Sequence, residues 1–210
     1  DAARALINTN ASLIIISDKN VSEKMAPIPS LLATSALHHG LVERRLRAEA
    51  GIIVESGEPR EVMHFCLLAG YGANAVNPYL AFEAMKELWR LDELPETIEP
   101  SQIIDNYIAS IKKGILKTMS KMGISTLRSY HTAQLFEAIG LNSEFVEKYM
   151  PGTSSRVQGI GLKQLAEETA QRHKDAYAKR QPGMLELDFG GEYHYRGHGE
   201  HHLWNPESIS

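Results

Sequence analysis

The amino-acid sequence predicts an α/β protein: β/α units on a parallel, barrel-like sheet, then a helix-rich second half and an irregular C-terminal tail. In the first half of the 210 residues, short β-rich runs alternate with amphipathic stretches at intervals of about 20 to 30 residues. The first run, residues 13–16, is four consecutive aliphatic residues, a pattern typical of a strand buried on both faces of a parallel sheet. Repeated strand–helix units of this kind favour a parallel sheet.

The elements of the first half follow from apolar runs and from proline and glycine positions. The first helix is predicted to begin near Pro27 or Pro29, because proline suits the first helical turn. Two more strand–helix units follow it. The first is a strand at residues 52–54 with a helix at residues 58–70, and the second is a strand at residues 73–76 with a helix at residues 79–91.

The second half is predicted to be mainly helical. Residues 101–122 form one helix or two joined near Gly114, and Gly123 follows at a left-handed C-cap position. Residues 124–129 are predicted to be a fourth strand. The remaining assignments are two short helices, a loop and a charged helix, in that order: residues 131–139, 143–149, 154–161 and 162–179.

A change of composition near residue 181 divides the chain. Residues 1–180 are periodic and form one predicted domain, whereas residues 181–210 are rich in Gly, Pro, Tyr and His and form a connector. The chain starts without an initiator Met or a signal-peptide pattern, which predicts a piece of a longer polypeptide.

Composition argues against several classes of protein. The formal net charge of −4 gives no support to nucleic-acid binding, and no apolar run is long enough to span a membrane. The single cysteine, Cys66, excludes an intrachain disulfide and a cysteine-held iron–sulfur cluster. Because Cys66 lies in an apolar run, core packing is favoured over a nucleophilic role.

Polar residues follow the predicted strands, at the edge where parallel β/α proteins build ligand sites. The candidates at strand ends or domain interfaces are Ser17, Asp18, Glu55, Ser56, Glu58, Arg60, Asn77, Ser120, Lys121, Ser129 and His131. Ser, Asp and Asn also favour helix N-caps and loops, and this structural interpretation is favoured over a ligand site.

Two groups of histidines are weak metal signals. His38 and His39 point about 100° apart on a helix, which predicts one buried and one exposed ring and not a shared ion. The tail holds four more histidines: His194, His198, His201 and His202. Their spacing fits no standard structural zinc site, so a connector is favoured over a metal-binding tail.

Ordered blocks along nearly the whole chain carry a resemblance to a known family. The most distinctive block is residues 113–126, followed by residues 133–138. The other blocks are residues 13–18, 26–33, 37–39, 54–62, 64–65, 70–73, 76–83, 191–193 and 202–206. Together they resemble the large subunit of glutamate synthase.

The resemblance implies an oxidoreductase that converts glutamine, 2-oxoglutarate and reductant to two molecules of glutamate. In that family a glutaminase domain with a cysteine nucleophile is followed by a central domain and by an FMN-binding β/α barrel with a 3Fe–4S cluster. Ammonia passes inside the protein to the flavin site.

The resemblance places residues 1–180 in the C-terminal part of the central domain and residues 181–210 in the connector to the FMN-binding domain. It implies a structural and coupling role between the glutaminase and FMN sites. No catalytic, cofactor-binding or metal-binding residue is assigned to this chain, and the chain alone is expected to be inactive. The alternative is a free-standing β/α module that binds a small molecule with its strand-end polar residues.

The resemblance also implies partners and a location. The expected partners are the other domains of the same polypeptide and, in the parent enzyme, a small NAD(P)H-oxidising subunit or ferredoxin. Binding to nucleic acid or to a membrane is not expected. The expected location is the cytoplasm, or a plastid in a plant or alga.

Overall fold

A computed structural model describes residue 9 and residues 11–94, 98–178 and 202–209. The chain forms two compact units, Asp1–Ala176 and Tyr177–Ser210. The described strands form a three-stranded and a two-stranded sheet, both parallel. This architecture confirms the predicted α/β class, with two open sheets and no closed barrel among the described residues.

The three-stranded sheet has the order β1–β2–β3, and one long helix follows each strand. In chain order these elements are β1 (Leu13–Ser17), α1 (Ser30–Glu43), β2 (Gly51–Glu55), α2 (Val62–Gly70), β3 (Ala75–Asn77) and α3 (Tyr79–Arg90). The predicted strand–helix alternation of the first half is therefore confirmed.

One face of this sheet forms the main core. Ile52 and Val54 of the central strand are fully buried and contact Leu41 of α1 and Leu68 of α2. Burying an aliphatic side chain of this size stabilises the fold by about 1.5–3 kcal/mol. Helices α1 and α2 are thereby held on one side of the sheet.

The outer face of β1 differs from the prediction. Leu13 and Ile15 are 58% and 62% exposed, whereas Ile14 and Ile16 contact the core. The expectation that residues 13–16 are buried on both faces is wrong, because no described element covers the outer face of β1.

The second half contains α4, α5, β4, α6, β5 and α7. Their bounds are Pro100–Lys121, Leu127–Tyr130, Glu137–Leu141, Ser143–Tyr149, Ser154–Ile160 and Leu162–Tyr177. The predicted helices at residues 101–122, 143–149 and 162–179 are confirmed. Gly123 has φ 72°, in the left-handed region predicted for it.

Three predictions in this half are wrong. Residues 124–129 do not form a strand, because the Thr126 side chain accepts a hydrogen bond from the Ser129 amide and caps α5. Residues 131–139 are predicted to be a helix and residues 154–161 a loop, yet they contribute β4 and β5, which pair in parallel. Each strand is stabilised by a partner distant in sequence, which local periodicity does not show.

Helix α4 approaches α2 closely at Gly114. A side chain at this position would collide with Val62, so glycine permits the contact. Beyond it, Met119 joins Cys66 and Tyr130 in a buried cluster. Cys66 is 1% exposed, as expected for a core cysteine.

The second unit contains a short helix, α8 (Pro206–Ile209). Asn205 precedes it, and its Oδ1 accepts a hydrogen bond from the Ser208 amide at 2.9 Å. The predicted irregular tail over residues 181–201 lies outside the described residues, as do His194, His198 and His201. Among the helices that the structure describes, none has the length and apolar character to cross a membrane.

Candidate functional site

The carboxyl ends of the three strands of the first sheet bring polar side chains together. Ser17, Glu55 and Asn77 are in register at the ends of β1, β2 and β3. The Glu55 carboxylate accepts hydrogen bonds from Ser17 Oγ at 2.7 Å and from Asn77 Nδ2 at 3.1 Å, and Lys19 Nζ lies 3.0 Å away. The hydrogen bonds from Ser17 and Lys19 lower the pKa of Glu55, so this carboxylate is ionised at neutral pH.

Asp18 is the second carboxylate at this edge. Its oxygens accept hydrogen bonds from Ser56 Oγ at 2.6 Å, from the Gly57 amide at 3.1 Å and from the Tyr79 hydroxyl at 2.8 Å. Ser56 is 1% exposed. Asp18 therefore ties the end of β1 to the loop after β2 and to the start of α3.

Glu58 is the third carboxylate, and it lies at the N-terminus of α1. One of its oxygens accepts hydrogen bonds from the Ser30 amide at 2.7 Å and from Ser30 Oγ at 2.5 Å. The helix dipole favours a negative charge at this position. In many α/β proteins a bound anion occupies the N-terminus of a helix near the strand ends, and here a side chain of the chain itself does so.

The six predicted residues that the structure brings together are Ser17, Asp18, Glu55, Ser56, Glu58 and Asn77. A cavity of about 240 Å³ adjoins four of them, on the side of the loop between β1 and α1. This volume is below the roughly 300–1,000 Å³ of ordinary ligand pockets.

The other predicted residues lie apart from this network. The Arg60 amide donates to His64 Nδ1 at 3.0 Å, and its carbonyl accepts from the Tyr107 hydroxyl at 2.8 Å. Ser120 and Lys121 are exposed on α4. Ser129 takes part in the cap of α5 with Thr126.

His131 lies near a second polar cluster, at the opposite edge of the sheet. Arg47 Nε donates to His38 Nδ1 at 2.8 Å, and its terminal nitrogens donate to the carbonyls of Ala50 and Gly72 at 2.7 and 2.9 Å. Arg47 also donates to Asn74 Oδ1 at 3.0 Å, and that oxygen accepts from the Ile52 amide. Arg47 thus joins the segment after α1 to the beginnings of β2 and β3.

His38 is held neutral in this cluster. Burial is the main cause that lowers the pKa of His38 to about 4, and the nearby His39, Arg47 and His131 contribute to this value. His38 is buried and His39 is half-buried, so the expected division between one inner and one outer ring holds in part. His131 Nε2 is buried without a hydrogen-bond partner among the described atoms.

Sequence reasoning missed Tyr79, Lys19, Ser30 and Arg47. Tyr79 follows Asn77 by two residues, so its place at a strand end was a usable signal. Arg47 gave no such signal, because its partners come from three separate segments of the chain.

The residues present do not fit the iron–sulfur cluster that the resemblance implies for the parent enzyme. A cluster needs several thiolates, whereas the single cysteine is buried beside Met119 and Tyr130. Within the described ranges, no group of three or more His, Cys, Asp or Glu side chains is arranged to hold a metal ion.

Comparison with known proteins identifies the family. Residues 1–142 match the family model of the glutamate synthase central domain. The chain is 46% identical to the glutamate synthase [NADPH] large chain of Bacillus subtilis over 207 residues, which are 99% of this chain and 13% of that protein.

Two other relatives come from eukaryotes. Identity is 41% to glutamate synthase [NADH] of Schizosaccharomyces pombe and 40% to the ferredoxin-dependent glutamate synthase of Pyropia yezoensis, each over 99% of this chain. This chain spans 10% and 14% of the length of these two relatives. Relatives named for three different electron donors thus share this region.

Proposed function

This chain belongs to the glutamate synthase family, and we propose that it is a structural and coupling segment of a longer glutamate synthase polypeptide. In that parent enzyme it would connect the glutaminase site to the FMN site, so that ammonia released from glutamine reaches 2-oxoglutarate. The chain spans only 10–14% of the relatives named above, which supports a role as part of a larger enzyme.

One observation carries this proposal. At the carboxyl edge of the sheet, Asp18, Glu55 and Glu58 all take hydrogen bonds from neighbouring groups of the chain. Carboxylates that bind a substrate or act as general bases must be available to another molecule. We therefore propose that the strand-end candidates serve packing and domain coupling.

We assign the chemistry to other parts of the parent polypeptide. FMN and a 3Fe–4S cluster would be held there, and a small NAD(P)H-oxidising subunit or ferredoxin would deliver electrons. The parent enzyme would work in the cytoplasm, or in a plastid if the source is a plant or alga. Residues 1–180 would form the C-terminal part of the central domain, and residues 181–210 the connector to the FMN-binding domain.

The competing function is a small-molecule binding module, and the cavity beside Asp18 and Ser56 is the observation in its favour. Calorimetry of the isolated chain with glutamine, 2-oxoglutarate and FMN separates the two functions. We expect no saturable binding at micromolar concentrations and no flavin-dependent formation of glutamate. Saturable binding that Asp18→Asn abolishes would favour the binding module.

Coupling itself is tested in the full-length enzyme. Glu55→Gln removes the charge that holds Ser17, Lys19 and Asn77 together, so the sheet edge should shift. We expect more free ammonia released per glutamate formed, while glutaminase activity is retained. Glu83→Gln is the matched control, because Glu83 pairs with Lys86 on the exposed face of α3, away from the strand ends. An unchanged ratio in Glu55→Gln would contradict a coupling role for this edge.

A further inference from the structure

The segment from residue 106 to residue 136 has an unusual charge pattern. It contains no Asp or Glu, although the whole chain has a formal net charge of −4. It contains five cationic side chains, all exposed: Lys112, Lys113, Lys117, Lys121 and Arg128. These five residues and the exposed Leu116 are called the basic face below.

The basic face is the outer side of α4 and the start of α5. Lys113, Lys117 and Lys121 recur every four residues and so form one stripe along the helix. The inner side of α4 is packed, with Gly114 against Val62 and with Ile115 and Met119 in the cluster around Cys66. Packing of the inner side fixes which side of α4 faces outward.

The cations of this face have no acidic partner among the described residues. By contrast, Lys86 lies 2.7 Å from Glu83 and Lys163 lies 3.9 Å from Glu167. Like charges four residues apart on a helix destabilise it. A row of unpaired lysines therefore has a cost in the isolated chain that an acidic partner would remove.

Apolar side chains lie among these cations. Leu116 is 65% exposed, Leu127 is 43% exposed and Met122 is 40% exposed. Leu127 also lines an apolar groove of about 360 Å³ with Ile111, Lys112 and Ile115. Apolar anchors surrounded by charged residues are the usual anatomy of a protein–protein interface.

We propose that the basic face docks against an acidic surface of another domain of the same parent polypeptide, with Leu116 as the apolar anchor. This inference rests on the proposed function, and it names one surface through which coupling would act. Charge complementarity selects an acidic partner. A single-stranded nucleic-acid site would offer aromatic rings for stacking, yet Tyr130 is buried and no exposed residue of this face is aromatic.

Carbodiimide cross-linking of the full-length enzyme tests the proposal, since it joins lysines to carboxylates in direct contact. Peptide mass spectrometry should find Lys112, Lys113, Lys117 and Lys121 joined to Asp or Glu of another domain of the same polypeptide. Lys86 and Lys163 should give only local links. Links from the basic face solely to a second copy or to a separate subunit would overturn the proposal, as would no links at all.

A charge-reversal variant makes the test quantitative. In the triple variant Lys113→Glu, Lys117→Glu, Lys121→Glu, the remaining Lys112 reports docking, and its cross-link yield should fall about tenfold because like charges then face each other. The control variant Lys86→Glu, Lys163→Glu, Lys174→Glu has the same net charge and should keep the Lys112 yield. Equal Lys112 yields in the two variants would overturn the proposal.

Two further measurements keep the outcome clear. The milder variant Lys113→Gln, Lys117→Gln, Lys121→Gln should lower the Lys112 yield by a smaller factor, and circular dichroism checks that each variant is folded.

Binding of the full-length enzyme to phosphatidylserine vesicles or to single-stranded DNA, lost on charge reversal, would overturn the proposal. The ratio of free ammonia to glutamate is measured in the same samples. Coupling that persists without cross-links would refute this docking surface and leave the proposed function standing.

Discussion

At the scale of single residues, polar side chains join segments that are far apart in the sequence. Arg47 donates hydrogen bonds to His38, Ala50, Gly72 and Asn74. On the opposite edge, Asp18 joins the ends of two strands to α3. Polar contacts thus fix the sheet at both ends of its strands, whereas aliphatic packing fixes the middle of the sheet.

Replacing Arg47 with lysine should destabilise the isolated chain. An ammonium group lacks the planar fork that reaches several acceptors at once, so we expect the free energy of unfolding to fall by about 2 kcal/mol. Urea denaturation measures this difference. Arg45→Lys is the matched control, because Arg45 is exposed and the change should alter stability by less than about 0.5 kcal/mol. Equal midpoints for the two variants would contradict the role of Arg47.

His38 should make the fold sensitive to acid. Its pKa is about 4 in the folded chain, against 6.5 for the ordinary side chain. The unfolded chain therefore takes up a proton first, so this contribution to stability is complete above pH 6.5 and is lost between pH 6.5 and 4. Protonation would also place a second cation beside Arg47, with His39 and His131 nearby.

Denaturation at a series of pH values checks this expectation. His38→Gln should be less stable at pH 7 and should lose less stability than the parent chain between pH 6.5 and 4. His173→Gln changes a half-buried histidine of α7 that lies outside the Arg47 cluster, and it should keep the pH dependence of the parent chain. Parallel curves for His38→Gln and the parent chain would rule out His38 as the source.

At the scale of elements, close approach of helices decides which positions accept a side chain. Gly114 of α4 faces Val62 of α2 with no room for a methyl group. Gly40 of α1 has room, because an added Cβ would lie 3.5 Å from Arg44. Packing therefore requires glycine at residue 114 but not at residue 40.

Alanine should have opposite effects at these two positions. Gly40→Ala should stabilise the chain by up to about 1 kcal/mol, since alanine favours the helix. Gly114→Ala should destabilise it by about 1–3 kcal/mol, because overpacking outweighs that gain. Thermal melting of both variants decides the question. Adding Val62→Ala to Gly114→Ala should restore part of the loss, and an absence of rescue would argue against this contact.

The sequence predicted the elements whose signals are local. The apolar runs at residues 13–16 and 52–54 predicted β1 and β2, and Gly123 predicted the end of α4. β4 and β5 were missed because their pairing joins Glu137 to Ser154 across α6. For the site, strand-end positions predict Asp18 and Glu55, but their hydrogen bonds to other segments of the chain appear only in three dimensions.

At the scale of the whole molecule, the match to the family model ends at residue 142, between β4 and α6. The packing continues beyond that residue. Phe145 and Val146 of α6 share a buried cluster with Leu32 of α1. The first compact unit accordingly extends to Ala176.

A chain ended after residue 142 should be poorly stable. It would lose β5, the strand that pairs with β4, and the aromatic ring of Phe145 from the core. Loss of one buried Phe side chain alone costs about 3–5 kcal/mol. A chain ended after residue 178 keeps these contacts and is the control. Urea denaturation of both should show a much lower midpoint for the shorter chain, and equal midpoints would contradict the packing described here.

The exposed outer face of β1 has a practical consequence for samples of the isolated chain. An edge strand with unpaired backbone groups and apolar side chains can act as a template for pairing with strands of other molecules. Leu13 and Ile15 supply such a surface over a strand of five residues. Concentrated samples of the isolated chain should therefore aggregate with time, and a lysine in place of Ile15 should slow that process.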